Sequence, residues 1–137
     1  MAITNAMRYR KYGRNWGTVE HNSINTTLFG VPVKMHKLVV PYFKKWEHNV
    51  RAYEDAHDLK HWKPKVIQCG NWRMIAGTNK RSLHSWRIAV DIDPALNAMG
   101  GRHDHLPNYV VAPTILGKIK WGGRWRNRDL MHFEYQS

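Results

Sequence analysis

Four residues of this 137-residue chain, His84, Asp91, Asp129 and His132, have types and spacings that can do chemistry together. A catalytic zinc site needs three protein ligands and an open position for water, and imidazole and carboxylate are suitable donors. His84 stands just before a β-prone run, Asp91 lies within it, and His132 lies in a second run near the C-terminal end. Adjacent strands can bring all three to one Zn2+. Asp129, three residues before His132, follows the WGGRW segment at 121–125, where a turn can aim its carboxylate at the metal-bound water as general base. Arg73 can supply the fixed positive charge that a developing oxyanion requires.

Other residues carry a bland reading beside the chemical one. Glu134 either orients His132 as its hydrogen-bond partner or is an exposed carboxylate at a strand end. Ser82 and His84 suggest a serine hydrolase only superficially, because no Gly-x-Ser-x-Gly elbow is present, and Ser82 reads as a local turn hydrogen bond. The His103-Asp104-His105 triplet follows two glycines and reads as a solvated loop rather than a metal site. Asp93 reads as capping the turn at Pro94, although it shares a strand face with Asp91. Trp72, Trp86, Trp121 and Trp125 flank the candidate residues and line either a substrate groove or the core.

The elements that must position these groups follow from periodicity. Between Arg87 and Asp93, Ile88, Val90 and Ile92 alternate with Ala89, Asp91 and Asp93, which predicts a strand with one apolar face and one face bearing carboxylates. In MHFEY at 131–135, His132 and Glu134 share one face of a predicted strand and Met131, Phe133 and Tyr135 the other. Phe43, Trp46, Val50 and Tyr53 recur at spacings of three and four, which predicts an amphipathic helix over 40–57 with Pro41 in its first turn. Residues 65–69 form a short β-prone run, 70–81 a loop with turn residues Gly77, Thr78 and Asn79, and 107–116 a short helix broken near Pro113. A helix with short antiparallel strands reads as an α+β fold, with a small sheet carrying the zinc site.

Composition bounds the rest. The length fits one domain over 1–137, and 42% hydrophobic residues can fill a core. Residues 1–25 are basic and read as a packed N-terminal extension. The single cysteine, Cys69, excludes an internal disulfide and a Cys-rich zinc site, and reads as a small buried residue at a strand end. A formal charge of +12 attracts polyanions: anionic wall polymers, acidic lipid or nucleic acid. A basic nucleic-acid-binding module is therefore the competing class, but the Lys and Arg residues are dispersed and form no recognisable binding motif. No apolar stretch has signal-peptide length and none approaches the ~20 residues of a membrane span, so the expectation is a chain made soluble in the cytoplasm, without a transmembrane segment.

Three segments also carry a family resemblance. SLHSWRIAVDID at 82–93 resembles the Ser-x-His-x-x-Gly-x-Ala-x-Asp motif of the zinc-dependent D-alanyl-D-alanine carboxypeptidase and L-alanyl-D-glutamate peptidase family, matching at Ser82, His84, Ala89 and Asp91. WGGRWRNRDLMHFEY at 121–135 is similar to the family's Trp-Gly-Gly-x-Trp followed by Asp-x-x-His-x-Glu, matching at Asp129, His132 and Glu134. GNWRMIAGT at 70–78 resembles the stretch that supplies the family's active-site arginine, here Arg73. The resemblance implies that His84, Asp91 and His132 hold zinc, that Asp129 is the acid/base carboxylate and that Arg73 polarises the scissile carbonyl. It implies a peptidase of bacterial peptidoglycan, closest to small phage endolysins that cut between L-alanine and D-glutamate and reach the wall once a holin opens the membrane; separately, the chain is expected to be a monomer. The carboxypeptidase activity is the alternative within the family. The chain departs from the pattern at Arg87, where the family usually has glycine; this puts a charge near the cleft and changes the loop between two ligands.

Overall fold

The computed structural model describes residues 3–101 and 105–136; His103 and Asp104 of the 103–105 triplet lie outside them. Among the described residues ten elements run in the order α1 (Asn5–Tyr12), α2 (Trp16–His21), β1 (Ser23–Leu28), β2 (Val31–His36), α3 (Val40–Ala56), β3 (Ile67–Gln68), β4 (Ala89–Ile92), α4 (Asn108–Val111), β5 (Ile119–Trp121) and β6 (His132–Tyr135), with short 3-10 turns between them. β1 and β2 form a hairpin, and the second sheet has the antiparallel order β3-β4-β6-β5. The fold is α+β, as the periodicity predicts. Among the described residues no helix is long and apolar enough to cross a membrane.

α3 starts with Pro41 in its first turn and ends one residue before the predicted boundary. Its buried stripe is Phe43, Trp46, Val50 and Glu54, which corrects the prediction of Tyr53: that ring is 44% exposed. The four-residue step from Val50 lands on Glu54 instead, and its carboxylate is tolerated there because it is fully satisfied. Arg51 Nη1 donates to it at 2.7 Å, the Trp62 amide at 2.6 Å and the Tyr109 hydroxyl at 3.0 Å. These contacts hold its pKa below the ordinary value against the effect of burial. The predicted break near Pro113 is real: α4 passes into a 3-10 turn at Ala112–Ile115.

The core forms where the two sheets meet α3. Trp46 packs on Phe133 of β6 at 4.7 Å and on Phe29 at 4.9 Å, and its indole N–H donates to the Val110 carbonyl. The hairpin β1-β2 is an element that the sequence reading does not name. Phe29 and Gly30 turn it, both with positive φ (50° and 79°), the two-residue geometry whose twist suits paired strands. The N-terminal helices also pack: Tyr12 and Val19 are buried, Tyr9 stands edge-on to Trp86 at 5.2 Å, and Trp86 Nε1 donates to the Gly13 carbonyl.

Candidate metal centre

Register makes the site. β4 and β6 pair so that Asp91 faces His132 directly across the ladder, and directly opposed residues project from the same sheet face. His84 comes from the 3-10 turn Leu83–Trp86, which leads into β4 and is capped by Ser82, whose hydroxyl accepts from the His84 amide at 3.3 Å. All three side chains are largely buried.

Their donor atoms converge. His84 Nε2 lies 3.2 Å from His132 Nδ1 and 3.3 Å from Asp91 Oδ1, and His132 Nδ1 lies 3.4 Å from that same oxygen. Tetrahedral ligands at the ~2.0–2.1 Å bond length of zinc to nitrogen or oxygen stand about 3.3–3.4 Å apart. The triangle therefore has the edges a zinc ion needs, and Asp91 Oδ1 is a buried oxygen without a directed hydrogen bond. These three residues make a group that can hold a metal ion.

The surroundings tune these donor groups. Glu134 is buried; its Oε1 is 2.9 Å from His132 Nε2 and its Oε2 accepts from Gln136 at 3.0 Å. That contact puts the Nε2 proton on the Glu134 side and leaves Nδ1 aimed at the cluster. Burial works against a charged His132, but the close Asp91 carboxylate and the hydrogen bond to Glu134 push its pKa up to about 9. Burial would raise Asp91, yet its contacts with His132 and His84 hold it well below the usual carboxylate range. Asp129 differs: burial, reinforced by the Asp91 charge, raises its pKa despite the opposing influence of His132, His84 and Arg73. Its Oδ2 is 4.0 Å from His132 Nδ1, and its Oδ1 is buried without a partner.

The WGGRW segment aims Asp129. The Asp129 amide donates to the Gly122 carbonyl at 3.0 Å, and a Cβ on Gly122 would come within 2.7 Å of the Asp129 carbonyl. Only glycine lets the two backbones approach so closely.

Arg73 is exposed at the rim of a cleft of about 480 Å³, lined also by Gln68, Cys69, Asn71, His84 and Asp91. Its backbone is tied to the His84 turn: the Arg73 amide donates to Ser85 Oγ at 3.0 Å, and the Ser82 amide donates to the Arg73 carbonyl at 2.9 Å. Ser85 is a residue the sequence reading misses; its one signal is adjacency to His84. Cys69 is half-buried just after β3, and burial pushes its thiol up to about 12. Asp93 turns away from the site with φ +44°, and its Oδ1 accepts from the Lys65 and Val66 amides at 2.8 Å.

The four tryptophans divide. Trp86 has no exposed surface, so it belongs to the core and not to a substrate groove. Trp121 stacks on Phe133 and donates to the Leu130 carbonyl, and Trp72 is half-buried among Tyr9, Trp16 and Arg81. Trp125 is 39% exposed, with its ring 5.2 Å from that of His132, and it borders the site. Arg87 puts its charge near the cleft as expected, but behind the wall: its guanidinium bonds Glu20 and the carbonyl of the cleft-lining Cys69.

Residues 76–135 match the family model of D-alanyl-D-alanine carboxypeptidase, a zinc-dependent family, over less than half of the chain. The matched stretch contains His84, Asp91, Asp129, His132 and Glu134 but not Arg73. No curated protein and no solved structure matches the chain. With a cluster that can hold a metal ion, the match supports a metallopeptidase of that type.

Proposed function

We propose that this protein is a zinc peptidase of bacterial peptidoglycan that hydrolyses the L-alanyl-D-glutamate bond of the stem peptide, acting as a monomer. The observation that carries the peptidase reading is the triangle of His84, Asp91 and His132 donor atoms at zinc spacing, with the partnerless oxygen of Asp129 beside it. Zinc, when bound, supplies Lewis acidity toward water and toward a carbonyl oxygen. The chain's own residues do the rest. Asp129, whose raised pKa suits a proton carrier, accepts a proton from the attacking water and returns it to the leaving amine. Arg73, on the cleft rim, places its positive charge where the carbonyl oxygen gains negative charge. Glu134 keeps His132 in the orientation that faces the cluster. The +12 charge holds the enzyme on anionic wall polymers, and the chain acts on the wall after release from the cytoplasm of an infected host.

The family match favours a second reading of the bond, removal of the terminal D-alanine. Mass spectrometry of peptidoglycan digested with the zinc-loaded protein separates the two. New D-glutamate amino termini are expected; released D-alanine instead assigns the carboxypeptidase activity. Asp129→Asn should lower either rate by roughly 10²–10⁴-fold with zinc content unchanged. If neither product forms on several wall chemotypes, the peptidase reading fails.

A further inference from the structure

Between the ligands His84 and Asp91 the backbone passes through the left-handed region at Arg87, with φ +54° and ψ 38°. That conformation suits glycine, and an arginine held in it needs compensation from its side chain. The compensation is extensive. Arg87 Nε donates to Glu20 Oε1 at 2.6 Å, and Nη1 donates to the Lys34 carbonyl at 3.0 Å and to the Cys69 carbonyl at 2.7 Å. The guanidinium also lies 4.9 Å over the Trp16 ring, and the side chain is only 12% exposed. One side chain thus joins α2, β2 and the end of β3 to the turn that carries His84. Gly70, with φ +100°, is fitted to it, since a Cβ there would fall 2.5 Å from the guanidinium.

The segment held in this way is the cleft wall. Directly after Cys69 and Gly70, the Asn71 amide donates to the His84 carbonyl at 3.0 Å, and two residues later Arg73 is bound to Ser85 and Ser82. The 69–73 wall is therefore anchored at one end by Arg87 and at the other by the His84 turn. We infer that Arg87, braced by Glu20 of α2, is a positioning residue that fixes the 69–73 wall and hence the place of Arg73 relative to the metal ligands. It makes the N-terminal helices part of the site's framework. The effect on turnover rests on the peptidase reading; the tether itself does not.

Arg87→Gly is the informative variant, because glycine suits the backbone and the substitution removes only the tether. Backbone amide hydrogen exchange should quicken by roughly tenfold or more at Asn71 and Arg73, while the Val90 and Phe133 amides of the central strands stay unchanged. On a peptidoglycan fragment, kcat should fall by roughly tenfold or more with zinc content unchanged, since small misplacements of a catalytic group are costly. Millimolar methylguanidinium, refilling the site between Glu20, Trp16 and the two carbonyls, should restore part of both readouts; Arg87→Lys, which keeps charge but loses the fork, should resemble Arg87→Gly. Unchanged exchange at Asn71 and Arg73 would overturn the proposal, as would faster exchange with unaltered kcat. If the native protein cleaves no wall substrate, the peptidase reading falls, and the exchange experiment alone decides whether Arg87 holds the wall.

Discussion

Removing the Glu134 carboxylate should weaken zinc binding by an amount that the geometry sets. The contact between Glu134 Oε1 and His132 Nε2 is 2.9 Å long, between side chains only 10% and 9% exposed. A charge-assisted hydrogen bond of this kind contributes about 1.5–3 kcal/mol, roughly twice a neutral one. Glu134→Gln keeps an acceptor of the same size and loses about half, so zinc affinity should drop about 3- to 10-fold. Glu134→Ala leaves the imidazole N–H without its partner and should cost about 10- to 100-fold. Competition titration against a chelator reads both constants. The deficit should widen between about pH 6.5 and pH 8.5, because Glu134 also raises His132 toward a pKa of about 9 and so favours the competing proton at the lower pH. Equal affinity of Glu134→Ala and the native protein would refute the reasoning, for it would mean that His132 is oriented by packing alone.

Two further outcomes concern stability. Glu54→Ala leaves the Trp62 amide and the Tyr109 hydroxyl without their acceptor and the Arg51 guanidinium with the Trp62 carbonyl but no counter-charge, and should cost about 3 kcal/mol, lowering Tm by several degrees or more in calorimetry. Because the Glu54 pKa is lowered on folding, its contribution is present above the ordinary value of 4.5 and fades as pH falls through the folded value, so native and Glu54→Gln melting curves should converge in acid. His132 runs the other way: raised from 6.5 to about 9 in the metal-free protein, its contribution is complete below about pH 6.5 and is lost as pH rises through about 9. Chelator-treated protein should therefore lose denaturant stability over that interval, and a flat profile there would show that His132 is not charged in the folded chain.

Local pattern carried far into this structure. Alternation around Asp91 and His132 marked both central strands, the three- and four-residue spacing marked α3 with its Pro41 start, and the donor types marked a zinc-type ligand set. These are legible because strand and helix periodicity depend on neighbours in the chain. Where the pattern was incomplete, a distant group decided. Glu54 displaced Tyr53 from the buried face because Arg51, Trp62 and Tyr109 satisfy its carboxylate. Trp86 joined the core because the Gly13 carbonyl, 73 residues away, accepts its N–H.

The sequence by itself determined which residues can bind a metal and which faces of the strands they occupy. Only the tertiary structure decided that Asp91 stands opposite His132, that the three donor atoms meet within 3.4 Å, and that Arg87 turns toward Glu20 rather than into the cleft. Strand register and burial are settled by the simultaneous packing of segments far apart in the chain, and no local pattern encodes which partner a face will meet.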